Sequence, residues 1–86
     1  MKHLTKQEAI GRMMLAQANL IEKNVHCELT WYPSWEQFEL KIFLKWSDEN
    51  PKLDILRHPD FESNRTDLNG YGDCLSYSWT SETVAP

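Results

Sequence analysis

Hydrophobic and polar positions alternate with a period of two through most of residues 25–46. Val25, Cys27, Leu29 and Trp31 share one alternation, and Phe38, Leu40, Ile42, Leu44 and Trp46 share a second, with a Tyr32-Pro33-Ser34-Trp35 corner between them. Alternation with one apolar side describes a half-buried strand, so the two runs predict a hairpin that turns one face to a core. The opposite face carries His26, Glu28, Thr30 and Tyr32 on the first strand and Glu39, Lys41, Phe43 and Lys45 on the second. That face is polar except for Tyr32 and Phe43, with Trp35 close by at the corner.

Ahead of the hairpin the period changes to that of a helix. Thr5 followed by Glu8 is a capping box, in which each side chain takes an N–H that the first turn leaves unpaired. Ala9, Met13, Ala16 and Leu20 form one row, and Ile10, Met14 and Ile21 form an adjacent row with Gln17 between them. Together they predict a wide apolar stripe packed on the sheet, ending near Asn24. Leu15 points away from the stripe. Gly11 costs the helix about 1 kcal/mol relative to Ala, so a neighbouring element pressed against it is expected.

Beyond Trp46 the pattern weakens. Asn50-Pro51 suits a helix cap and first turn, so residues 51–57 form either a short helix or a short strand through Leu53 and Ile55, and His58-Pro59 ends either one. Residues 59–70 are polar and lack a period. Asn69-Gly70 is a hairpin-turn signal. Leu75, Tyr77 and Trp79 then face inward, and Cys74, Ser76, Ser78 and Thr80 outward, on a last strand. The expected organisation is one domain over 1–86: a helix in 1–24, a β-hairpin in 25–46, an irregular acidic segment in 47–72, a strand in 73–80 and a tail in 81–86. The fold class is α+β, an N-terminal amphipathic helix packed on a three- or four-stranded antiparallel sheet.

At 86 residues the core is thin, and four Trp, three Tyr and three Phe supply much of its bulk. The net charge of −4 is unevenly placed: residues 1–24 carry +2, residues 25–46 carry −1 and residues 47–86 carry −5. Bulk electrostatics therefore disfavour direct binding of nucleic acid, and the acidic half suits a basic partner surface.

The chemistry-bearing residues point to no catalytic set. The two cysteines lack a C-x-x-C spacing, and His26 and Cys27 are strand neighbours whose side chains leave opposite faces. A dyad of His58 with Cys74 is geometrically possible but has no electropositive setting around it. Asp60, Glu62 and Asn64 imitate the start of a calcium loop, yet Arg65 stands where glycine is required and Tyr71 where the bidentate Glu belongs. No catalytic residues, metal or cofactor are expected. Without a secretory core or an apolar run of about 18 residues, the expectation is a cytoplasmic protein that does not engage membranes.

The function expected is a non-catalytic protein-binding module. Tyr32, Trp35 and Phe43 would be its apolar anchors, and Asp48, Glu49, Asp54, Asp60, Glu62, Asp67 and Asp73 would meet a basic partner. In size and charge the chain resembles the small acidic α+β proteins that phages and other mobile elements encode. That resemblance implies an inhibitor, acting against host defence, that occludes the nucleic-acid site of a host enzyme. Two alternatives remain open: single-stranded nucleic acid bound on the outer sheet face through Tyr32, Lys41, Phe43 and Lys45, and a small hydrolase.

Overall fold

The computed structural model describes residues 2–46, 48 and 51–81. One helix, α1 (Lys6–Glu22), packs against an antiparallel sheet of β1 (His26–Tyr32), β2 (Gln37–Lys45), β3 (Glu62–Asp67) and β4 (Gly72–Thr80), in the spatial order β1-β2-β4-β3. The architecture is α+β, with four strands.

Both ends of α1 are set by local sequence. The Thr5 hydroxyl accepts from the Glu8 N–H at 3.1 Å, and the Glu8 carboxylate accepts from the Thr5 N–H at 2.9 Å. At the other end Asn24 adopts a left-handed φ of 58°. The Val25 N–H reaches back to the Leu20 carbonyl at 2.9 Å and the Asn24 N–H to the Ile21 carbonyl at 3.0 Å, so the chain turns straight into β1.

The core lies under β1 and β2. Ala9, Met13, Ala16 and Leu20 of α1 meet Phe38, Leu40, Ile42 and Leu44 of β2, and Trp79 of β4 closes the same layer. Register aligns Cys27, Ile42 and Leu75 in one row, Leu29, Leu40 and Tyr77 in the next, and Trp31, Phe38 and Trp79 in a third. That third row is an aromatic ladder, with ring centroids 4.4 Å apart between Trp31 and Phe38 and 5.9 Å between Phe38 and Trp79. Among the described residues the indole N–H of Trp79 is buried without a hydrogen-bond partner.

Several expectations are corrected. Of the two readings of residues 51–57 the short helix is the one found, shortened to a 3-10 turn, Asp54–Leu56, which packs beside α1. Its Ile55 carbonyl accepts from the Arg12 guanidinium at 3.1 Å, while Leu56 and Phe61 are buried. The segment expected to be irregular contains β3. Every residue of β3 is exposed, so it lacks the apolar alternation that reveals a strand, and ladder bonds to β4 hold it. Met14 and Ile21 do not extend the core stripe: both are exposed on the flank of α1, beyond the row that meets the sheet. Gly11 has no neighbouring element, since a β-carbon there would meet nothing within 4 Å. Trp46 is also exposed, because β1 pairs with β2 only as far as Phe43 and the last residues of β2 run past it.

Candidate partner-binding surface

The anchors and acidic residues expected to act together are spread over several places. Tyr32 and Trp35 flank the β1–β2 turn, with ring centroids 5.6 Å apart, and Trp35 is 67% exposed. The turn itself is clamped. Lys6 pairs with Glu36 at 3.1 Å and lies 5.2 Å above the Trp31 ring, and the Ser81 hydroxyl donates to Glu36 at 3.1 Å. The Lys6 hydrogen bond, assisted by that from Ser81, holds the Glu36 carboxyl below its ordinary pKa.

Phe43 sits further along the outer face, half-buried and stacked on His26 at 4.7 Å between centroids. Lys41 is 3.8 Å from Glu39, and Glu39 also accepts from the Tyr32 hydroxyl at 3.3 Å. Part of the outer face is therefore a polar layer in which Glu39, Lys41 and Tyr32 meet one another and His26 covers one side of Phe43. A stacking platform for bases needs open ring faces and free cations, and this one has few of either.

The acidic residues divide into three groups. Asp60 is 2% exposed and cannot reach a partner. Its carboxylate accepts from the Leu4 N–H at 2.6 Å and from His3 Nδ1 at 2.8 Å, fastening the start of the chain to the loop before β3. Burial pushes the Asp60 pKa up, but the bonds from His3 and Leu4 and the nearby His3 and His58 charges outweigh it, leaving the carboxyl below its ordinary value. Asp54 and Glu62 are exposed, and Asp54 lies 3.5 Å from Arg57. Asp48, Asp67 and Asp73 gather at the end of the sheet where β2 leaves and β3 turns into β4. Glu49 lies outside the described residues.

That end holds the two anchors that the alternation did not reveal. Trp46 is 69% exposed and Tyr71 is 79% exposed. β2 and β4 pair as far as Lys45 with Gly72, so Trp46 and Tyr71 stand one step beyond the last pair, on neighbouring strands. The Trp46 indole N–H donates to the Gly70 carbonyl, which fixes the ring against the turn. The turn is rigid in its own right: Asn69 and Gly70 take left-handed φ values of 54° and 85°, and the Tyr71 N–H closes onto the Leu68 carbonyl at 3.1 Å. Around the two rings, Asp48 accepts from the Lys45 N–H at 2.9 Å, Asp67 accepts from the Gly70 N–H at 3.4 Å, and Asp73 pairs with the Arg65 guanidinium. The sequence carried a usable signal for Trp46: the first strand is shorter than the second, so the last inward position of the second has no partner strand to cover it.

The chemistry-bearing residues stay apart. Cys27 is on the inner face, where burial pushes its thiol pKa up, and Cys74 is on the outer face opposite Phe43 and Thr66. His58 packs against Phe61 and Asp60, away from Cys74. Among the described residues no group of three or more His, Cys, Asp or Glu side chains is arranged to hold a metal ion, and no helix is long and apolar enough to cross a membrane. No known protein family, curated protein or solved structure matches the chain.

Proposed function

We propose that the chain is a non-catalytic protein-binding module that docks through the end of the sheet bearing Trp46 and Tyr71. The observation that carries this reading is the pair itself: two large aromatic rings, mostly exposed, held on adjacent strands by an indole hydrogen bond and a tight turn. Large amphipathic rings on an ordered backbone supply contact area to a partner, which is the character of interface hot spots, and the indole hydrogen bond lowers the ordering cost for Trp46. Asp48, Asp67 and Asp73 border the pair, so the complementary surface is a basic one with an apolar depression for the rings. A basic groove of that kind is what a nucleic-acid-handling enzyme offers, and a domain seated on it would act by occlusion. Trp35, with Tyr32 beside it, gives a second, smaller aromatic site at the opposite end.

The test is a comparison of wild type with Trp46→Ala and Tyr71→Ala. Each is immobilised, exposed to lysate and washed at graded salt, after circular dichroism has verified folding. The expected result is a discrete basic protein retained by wild type and lost by both variants, with oligonucleotide binding absent at moderate salt. Oligonucleotide binding that weakens with salt and with Phe43→Ala but not with Trp46→Ala would reject this reading in favour of the outer-face alternative.

A further inference from the structure

The β1–β2 turn and the end of β4 enclose a cleft of about 410 Å³, lined by Ser34, Trp35, Glu36, Gln37, Thr80 and Ser81. That volume falls within the roughly 300–1,000 Å³ of small-ligand sites. Strand register builds one side of it. Tyr32, Gln37 and Thr80 form a single row across β1, β2 and β4. Trp35 comes from the turn, braced by Tyr32, whose hydroxyl is tied to Glu39 at 3.3 Å. The rim is fixed as well: the Glu36 carbonyl accepts from the Ser81 N–H at 3.2 Å, and its carboxylate accepts from the Ser81 hydroxyl.

The lining narrows the ligand. Trp35 is 67% exposed and contributes nothing to the core, so a ring face is open. The Gln37 amide is half-buried and hydrogen-bonds to no described residue, which leaves a donor and an acceptor side by side. Glu36 is the single charged side chain of the lining, and Lys6 already matches it at 3.1 Å. An ionic ligand would therefore meet no free counter-charge. The backbone at the rim is also unusual. Among the described residues three that are not glycine have positive φ, and two are Asn, which tolerates it; the third is Glu36, at 46°. Strain of this kind is kept most often at functional sites.

We propose that this cleft binds a neutral pyranose sugar, stacked by its C–H face on Trp35 and held through its hydroxyls by Gln37 and Glu36. A pyranose with equatorial hydroxyls turns polarised C–H groups to both of its faces, and these suit the negative face of an indole. Its hydroxyls donate and accept, as the Gln37 amide does. The Glu36 carboxylate has lone pairs beyond the two that Lys6 and Ser81 occupy. A nucleotide would stack as well but would set phosphate beside Glu36. A smaller depression of about 140 Å³, lined by Tyr32, Pro33, Ser34 and Trp35, adjoins the cleft and gives the second ring of a disaccharide a place.

The test titrates the ¹⁵N-labelled chain with the methyl β-glycosides of glucose and N-acetylglucosamine, with cellobiose and diacetylchitobiose, and with adenosine monophosphate as a charged stacking control. Each is taken to about 20 mM, beyond the ~1 mM dissociation constant of a small, shallow site. At least one sugar should shift the Trp35 indole and Gln37 amide signals saturably, and more tightly than the nucleotide does. Trp35→Ala and Gln37→Ala lie outside the core, so both should keep the wild-type circular dichroism spectrum while binding at least about tenfold more weakly. Trp46→Ala, at the other end of the sheet, should bind sugar as wild type does, which separates this site from the docking surface above. No saturable shift with any of the four sugars overturns the proposal. So does tighter binding of the nucleotide, or unchanged sugar affinity in folded Trp35→Ala or Gln37→Ala.

Discussion

Three glycines offer a graded test of how closely the backbone is packed, with Ala as the common replacement. Gly72 opens β4 at φ +146°, and a β-carbon there would overlap the Leu44 carbonyl oxygen while lying 2.8 Å from the carbonyl carbon and 2.9 Å from the Lys45 Cα. All three atoms are backbone of β2, so no side chain can move aside. The strained φ costs about 1–3 kcal/mol. Forcing the strands apart adds a similar ~1–3 kcal/mol. Gly72→Ala should therefore lose roughly 2–5 kcal/mol, a large share of what a small domain has. Gly70, at φ +85° in the β3–β4 turn, has open space where its β-carbon would be. Gly70→Ala pays only for the left-handed conformation, about 1–2 kcal/mol. Gly11 sits in mid-helix with neither constraint, and Gly11→Ala should gain about 0.5–1 kcal/mol. Urea unfolding followed by far-UV circular dichroism should order the midpoints Gly11→Ala, wild type, Gly70→Ala, Gly72→Ala from highest to lowest. A Gly72→Ala midpoint at or above that of Gly70→Ala would refute the close approach of β4 to Leu44.

Other perturbations follow from burial and charge. Leu40 and Ile42 are fully buried at the centre of the sheet, and either one changed to Ala should lose about 2–5 kcal/mol in the same urea assay. Cys74→Ser, half-exposed on the outer face, should stay within about 0.5 kcal/mol, and Cys27→Ser, packed at the rim of the core, should cost about 1 kcal/mol. Asp60 has its pKa lowered in the folded protein from an ordinary value of 3.8. Its carboxylate therefore contributes stability that is fully present above the unfolded value and is lost as pH falls through the folded one. Thermal melts from pH 7 down to pH 2 should show a drop in the acid range that is shallower in Asp60→Asn, which is less stable than wild type at pH 7. Parallel curves for the two proteins would remove Asp60 from the acid transition.

How much of this was legible depends on where each residue spends its free energy. The hairpin, the capping box, the Asn69-Gly70 turn and the inward Leu75, Tyr77 and Trp79 all follow from local rules that tertiary structure did not override. β3 was hidden because Glu62, Ser63, Asn64, Arg65, Thr66 and Asp67 bury nothing, and a strand held only by its ladder leaves no apolar period. Asp60 reads as one more loop carboxylate. Only the fold brings Leu4 and His3, 56 and 57 positions away, to its two oxygens. Met14 and Ile21 have helical spacing relative to the core row, but the stripe wraps past the edge of the sheet. Periodicity gives the width of an apolar face, not which part of it finds a partner within the chain.

The same reasoning separates the residues that hold the fold from those free to bind. Part of the acidic excess that first suggested a docking surface is matched within the chain, while Asp48 and Asp67 accept from backbone N–H groups rather than from a cation. Asp60 is buried, Asp73 is matched by Arg65, Asp54 by Arg57, and Asp48 closes the end of β2. Trp46 and Tyr71 are different: β2 and β4 run beyond the reach of β1, and both rings are mostly exposed there. Removing either ring should leave the core intact, since neither belongs to it. Loss of partner binding without loss of stability is the signature expected of such residues, and it is opposite to that of Leu40 or Asp60, where function could fail only through unfolding. The exposed side of α1 has the same character. The Schellman-type turn at Asn24 and the capping box at Thr5 hold the helix in place whether or not its outer face is covered. Two surfaces, the sheet end bearing Trp46 and Tyr71 and the outer side of α1, thus stand apart from the thin core between them.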